Sequence, residues 1–205
     1  MRTRPIRLPN RARLVASALT CILAFAGAGL PARALGGCAP PTISGGDWPM
    51  FGQNLRSDRA QPLETSLDSS NVPLLQPAWT FDAGRATHVA NNEITGYPIE
   101  ADGCIFVGSS TGNTTSGAHK PGWIFALNAD NGDVVWQTQV QGAVYSTLAV
   151  SDGVVYAFVS RVSSPFVAAL DEQTGVILWQ TIVDDQLGSD AVSSPIVYEG
   201  MVWVG

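Results

Sequence analysis

The 205-residue chain sets 17 Asp and Glu against 11 Lys and Arg, and six of those eleven bases fall before Leu35 while all seventeen acids fall after it. Removal of that stretch leaves five bases against seventeen acids, a net charge of −12, a surface that repels phosphate backbones and excludes nucleic acid as a partner. Three cysteines with no CxxCH and no paired CxxC exclude covalent haem attachment and a zinc motif of that kind.

Residues 1–34 read as an export signal rather than as part of the fold. Five arginines (Arg2, Arg4, Arg7, Arg11, Arg13) precede an uncharged apolar run from Leu14 to Leu30, Pro31 breaks the run, and Ala32-Arg33-Ala34 supplies the small-x-small pattern for cleavage after Ala34. The apolar run is short for a membrane span of about 20 residues. A second processing pattern lies beside the first: Leu35-Gly36-Gly37-Cys38 resembles a bacterial lipobox, in which Cys38 carries a lipid anchor. Without lipid, Cys38 is a free thiol near the new N-terminus or pairs with Cys104, the other cysteine left after export. Residues 35–46 form a linker, rich in Pro and Gly from Ala39 on.

Beyond the linker no segment shows a helical period. Short β-branched and aromatic runs alternate with Gly, Asn and Asp turns, which predicts an all-β fold with strands at Ile99–Gly108, Trp123–Leu127, Val134–Thr138, Ser146–Val150, Val154–Ser160, Val167–Leu170, Val176–Thr181 and Pro195–Gly205. The strands fall into copies. The turn pairs Asp102-Gly103, Asp152-Gly153 and Glu199-Gly200 recur 50 and 47 residues apart, and four strands per copy at this period is the mark of a propeller blade. The division is an opening segment 47–84, blades at 97–138 and 145–181, and the start of a third at 193–205.

One sentence is written twice: "ALNADNGDVVW" from Ala126 and "ALDEQTGVILW" from Ala169, 43 residues later. In each copy Asn128 or Asp171 is placed to hold the turn's amides, and Gly132 or Gly175 to take a positive φ. Trp136 or Trp179 then lies on the outer strand, placed to pack on the neighbouring blade. Trp79 echoes the same strand end before the first copy. These seven residues are expected to dock blades, not to do chemistry.

The eleven-residue pattern, Ala-x-Asp-x-x-Thr-Gly-x-x-x-Trp, resembles the tryptophan-docking motif of the quinoprotein alcohol dehydrogenase superfamily, met at every position by 169–179 and at all but Asn128 and Asn131 by 126–136. Asp47–Gly84 resembles that family's opening segment at Trp48, Phe51-Gly52, Asn54, Arg59, Pro62, Asn71-Val72, Leu75, Trp79, Phe81 and Gly84. Asp47-Trp48-Pro49-Met50 is nearest the polyvinyl-alcohol dehydrogenase branch. The resemblance implies an eight-bladed PQQ-type β-propeller, of which this chain supplies about two blades, the start of a third, and at Trp79 an orphan strand that would close the ring. It also implies pyrroloquinoline quinone on the axis above calcium, with the Asp base and calcium ligands in later blades and none in this chain.

Two early cofactor contacts of the family depart from its pattern. The position of a glutamate three residues before Pro98 holds Thr95, with Glu93 nearby, and the positions of a vicinal disulfide hold Ser146 and Thr147. His88 and His119, the acidic loop Asp184-Asp185 with Asp190, the glycosylation pattern Asn113-Thr114-Thr115 and Ser193-Ser194 read as surface or turn residues. Two functions follow from the resemblance: an exported dehydrogenase passing electrons to a separate acceptor, or a non-enzymatic propeller that binds partners in the envelope. This length of chain alone is expected to be inactive and to lean on missing blades or a partner chain.

Overall fold

In the computed structural model of the chain, residues 38, 46–112, 120–186, 190 and 193–205 are described. Residues 1–34, expected to be an export signal, lie outside the described residues, as do His119 and Asn113–Thr115. The described chain is built of antiparallel sheet with a single short α-helix among its described residues.

The first blade comprises β2 (Ile99–Ala101), β3 (Cys104–Ser110), β4 (Gly122–Asn128) and β5 (Val134–Val140), with the two-residue β1 (Glu93–Ile94) paired to the far end of β3. The second comprises β6 (Ala149–Ser151), β7 (Val154–Val159), β8 (Phe166–Asp171) and β9 (Ile177–Ile182), paired in that order. A third hairpin follows, β10 (Ile196–Tyr198) with β11 (Met201–Trp203). Each copy opens on the same tight turn. Asp102-Gly103, Asp152-Gly153 and Glu199-Gly200 all take positive φ at both residues, the primed geometry whose twist matches a hairpin. Each complete blade also carries a register shift at one equivalent place, between Ala126 and Leu127 and between Ala169 and Leu170.

Alternation along β4 explains why its sequence is apolar throughout. Ile124 and Ala126 join a core with Phe106, Trp136, Leu148, Val155, Val159 and Leu170 between the blades, whereas Trp123, Phe125 and Leu127 join Trp79 and Phe81 on the opposite face. Both faces are covered, so neither needs polar residues.

Three expectations are corrected. Ser146–Leu148 precede β6 instead of belonging to it, because the amide and hydroxyl of Thr147 are engaged by neighbouring blades rather than by a strand partner. Residues 83–87 form a helix, α1 (Ala83–Thr87), capped by the Asp82 carboxylate on the Arg85 amide at 2.9 Å and ended by His88 in the left-handed region. Cys38 is not a free thiol: it is bonded to Cys104, fully buried at the start of β3. A sulfur in a disulfide has no valence left for a lipid thioether, so the lipid anchor and this structure exclude each other.

Candidate functional site

The three inner strands β2, β6 and β10 begin side by side, and the residues just before them share a mouth. The Tyr97 amide donates to Thr147 Oγ1 at 3.2 Å, and the Thr147 amide donates to Ser194 Oγ at 3.1 Å. Residues 97, 147 and 194 stand at equivalent positions one before the Pro or Leu that leads into each strand. Each blade therefore offers its amide to a hydroxyl of the next. Thr95 Oγ1 adds a bond to the Val144 carbonyl at 3.1 Å. Gly96 lies so close to the Ser146 carbonyl that a Cβ there would collide with it, which fixes the spacing of the two blades at the mouth.

The opening segment runs along the inner edges. Trp48 exchanges both backbone bonds with Glu100 of β2, at 2.8 and 3.0 Å, and the Val150 amide of β6 donates to the Pro49 carbonyl at 2.8 Å. Edge groups that would otherwise be unpaired are thus satisfied. This brings Phe51 to 5.8 Å from the Tyr97 ring and sets the Arg59 guanidinium 5.6 Å above Phe51. A cavity of about 430 Å³ opens between Phe51, Tyr97, Tyr145, Ser146, Ser194 and Ile196. Beside it lies a second of about 360 Å³, which shares Phe51, Tyr97 and Thr147 and reaches Trp48 and Arg59. The mouth is therefore aromatic and hydroxylic with one cation, a surface suited to a flat, polar or anionic group.

Ser146 is 3% exposed and its Oγ has no hydrogen-bond partner, whereas the hydroxyl of Thr147 is engaged. This contrast sets an expected result. Ser146→Ala should leave stability within about 0.5 kcal/mol of the parent or raise it, while Thr147→Val, which strips the Tyr97 amide of its acceptor, should cost about 1 kcal/mol. Urea unfolding of the two variants checks it, and equal losses would mean that Ser146 Oγ has a partner.

The quinone–calcium group implied by the resemblance does not fit the described residues on their own. Thr95, Ser146 and Thr147 provide no carboxylate for a metal and no disulfide for stacking. Among the described residues, no three of His, Cys, Asp and Glu are grouped to hold an ion. Glu93 is exposed on β1 and lines neither cavity. His88 is exposed at the end of α1. Asp190 pairs with Arg161 at 3.2 Å, and Asp184 accepts from the Gln186 amide at 3.0 Å. Ser193 Oγ accepts from the Gly205 amide at 2.8 Å.

The repeated sentence lies away from the mouth, at the blade junctions. Asn128 Oδ1 accepts from the amides of Asp130 and Asn131 at 3.0 and 3.2 Å. Asp171 Oδ1 accepts the Thr174 hydroxyl at 2.6 Å and its amide at 2.9 Å, and these bonds, the hydroxyl's first, hold the carboxyl below its ordinary range. Trp79 lies on Gly132 and donates Nε1–H to the Ala129 carbonyl at 2.9 Å; Trp136 lies on Gly175 and donates to the Glu172 carbonyl at 2.8 Å. Each tryptophan thus docks on the glycine turn of the following blade. Sequence reasoning did not single out Phe51 or Arg59 as mouth residues, although both stood among the positions of resemblance.

The family model described as "Outer membrane protein assembly factor BamB" matches residues 76–205. A polyvinylalcohol dehydrogenase of Pseudomonas sp is 29% identical over 162 residues, covering 77% of this chain and 22% of that protein. The outer membrane protein assembly factor BamB of Yersinia pestis is 38% identical over 102 residues, 47% of this chain and 25% of that protein. Among solved structures, a quinohemoprotein alcohol dehydrogenase from Pseudomonas putida superposes with a TM-score of 0.58 at 24% identity, over 77% of this chain and 22% of that one. The chain therefore spans about a quarter or less of the length of these relatives.

Proposed function

This chain belongs to the PQQ-like repeat family of β-propellers, and from that membership we propose that it supplies the opening segment and first blades of an exported, quinoprotein-type alcohol dehydrogenase. The observation that carries the reading is the reach of the similarity. A match over 77% of the chain is about 28 residues longer than the span 76–205, so it extends into the opening segment, the stretch that lays Trp48 and Pro49 on the inner edges and brings Phe51 and Arg59 to the mouth. The match to the assembly factor covers 47% of the chain.

In this reading the residues of the mouth form one wall of the axial site. Phe51 and Tyr97 exclude water, Ser146 Oγ offers a free hydrogen-bonding group, and Arg59 favours an anionic ligand. Calcium ligands, the base toward the alcohol and the groove to an electron acceptor belong to other parts of the protein. Secondary or polymeric alcohols are the substrate class, by likeness to the polyvinylalcohol dehydrogenase.

A second reading has its own support. Ser146 and Thr147 stand where the family's quinone-stacking disulfide would be, which favours a propeller that binds envelope proteins without cofactor. The full gene product, incubated with pyrroloquinoline quinone and calcium and assayed for alcohol-dependent dye reduction, separates the two. Turnover requiring both additions supports the dehydrogenase. No turnover over primary, secondary and polymeric alcohols, with no quinone retained on gel filtration, overturns it in favour of the scaffold.

A further inference from the structure

The loop that carries Arg59 is strained and tightly tied. Gln53, Ser57 and Arg59 take left-handed backbone although each has a Cβ, at φ of 76°, 56° and 54°. Such conformations persist only where their surroundings over-determine them, and they gather at ligand clamps. Here the ties are local. Asn54 Oδ1 accepts the Arg56 amide at 2.9 Å, the Ser57 amide donates to the Asn54 carbonyl at 2.8 Å, and the Arg59 amide donates to the Gly52 carbonyl at 3.1 Å. The neighbouring Asp58 carboxylate is taken by Arg56 and by the Asn54 side-chain amide, both at 3.1 Å. Among the described residues Arg59 joins no ion pair. Beyond residue 34 the chain carries five bases and seventeen acids. A base kept from its neighbouring acid in such a chain, and set over the Phe51 ring, is left to an anion from outside.

The cavity of about 360 Å³ beside that guanidinium fits one kind of anion, and its volume suits a small ligand. Trp48, Phe51 and Tyr97 supply three aromatic rings, Pro98 a further apolar wall and Thr147 a hydroxyl, and no Asp or Glu lines it. Thr147 Oγ1 accepts the Tyr97 amide and still has its own proton to donate. A bare phosphate or sulfate would leave the rings unused. A flat apolar body stacks on them while a carboxylate at its edge meets the guanidinium fork. One cation and one hydroxyl match a single negative charge. We propose that this cavity binds a flat aromatic monocarboxylate, with Arg59 and Thr147 on the carboxylate and Phe51 and Tyr97 on the ring. The proposal rests on the mouth as a ligand wall, the part of the proposed function that needs neither quinone nor metal.

The test is ligand-observed NMR on the full chain, comparing 2-naphthoate with 2-naphthamide, which has the same flat shape without the charge. The acid should bind saturably and about tenfold more tightly than the amide, and the difference should shrink as salt rises from about 20 to about 300 mM. This comparison needs no variant. Arg59→Asn removes the cation with a residue that suits left-handed backbone, so the loop keeps its shape. It should bring the acid down to the affinity of the amide and leave the amide unchanged. Phe51→Ala should weaken both several-fold. Arg56→Gln, which removes an exposed base already paired with Asp58, should change neither. Four results would overturn the site: no saturable binding of the acid, an amide that binds as well, a loss in Arg56→Gln equal to that in Arg59→Asn, or displacement of the naphthoate by an equimolar amount of pyrroloquinoline quinone. The last would give the cavity to the quinone. Alcohol turnover enters none of these measurements, so the site and the dehydrogenase reading can fail separately.

Discussion

Trp136→Ala is expected to cost about 3–5 kcal/mol of stability, whereas Trp179→Ala, at the same place in the repeated sentence, should cost under about 1. The ring of Trp136 is 8% exposed, packed against Phe106 at 5.9 Å and laid on Gly175 of the next blade, and its indole N–H is bonded across the junction. Truncation removes the largest side chain of the inter-blade core and leaves the Glu172 carbonyl without its donor. Trp179 is 42% exposed and touches Tyr156 at the edge of β9. The junction can be attacked from its other side. A Cβ on Gly175 would lie 2.5 Å from the Trp136 ring at a φ of +69°, so Gly175→Ala combines a clash with backbone strain and should destabilise by an amount comparable with the tryptophan truncation. Urea unfolding of the three variants measures all of this. If Trp136→Ala and Trp179→Ala cost the same, the tryptophans do not stabilise by docking on the following blade.

The repeat was legible because hairpin chemistry is local. A two-residue turn with both φ positive selects Asp-Gly or a near substitute, and four strands between such turns leave a period that survives divergence of the strands. The opposite holds for features made by distant parts. The pairing of Cys38 with Cys104 joins residues 66 apart; the cysteine count offered it beside a free thiol and a lipidated cysteine, and nothing in either flank chose among the three. Helix α1 is five residues long, too short for a hydrophobic period, and only Asp82 as its cap hints at it. Ser146 and Thr147 read as strand because they precede an apolar run, yet Tyr97, Ser194 and Gly96 from two other blades decide their conformation. Glu172 was hidden for another reason. Its neighbours match the docking pattern at every fixed position, and an unconstrained position draws no notice until the fold shows it buried.

The mouth illustrates the same division. Its hydroxyls follow from equivalent positions in successive copies and could be listed from the repeat alone. Its aromatic and cationic wall comes from the opening segment, which has no internal period. Only the backbone bonds of Trp48 with Glu100 and of Pro49 with Val150 reveal that this segment lies on the inner edges.

Cys38→Ser is expected to destabilise the chain by about 4 kcal/mol, because the bond it removes closes a loop of 66 residues in the unfolded state. Little native packing goes with that bond: Cys38 lies at the margin of the inter-blade core, and Cys104 remains buried in β3 with its strand partners intact. Treatment with a reductant should therefore lower the urea midpoint of the parent by as much as the substitution does, and should have no further effect on Cys38→Ser. That equality distinguishes a cross-link from general damage, since a misfolded variant would be weakened further by either change. The same residue reports on processing. An exported chain with this bond should be lighter than its reduced form by two hydrogens and should take up no labelled palmitate. Palmitate incorporation lost in Cys38→Ser, together with a midpoint indifferent to reductant, would show that the sulfur carries lipid and that Cys104 stands alone in the core. Export through an oxidising compartment is needed for the first outcome, so a stable, cross-linked, unlipidated chain would also support cleavage after Ala34 over processing at the lipobox.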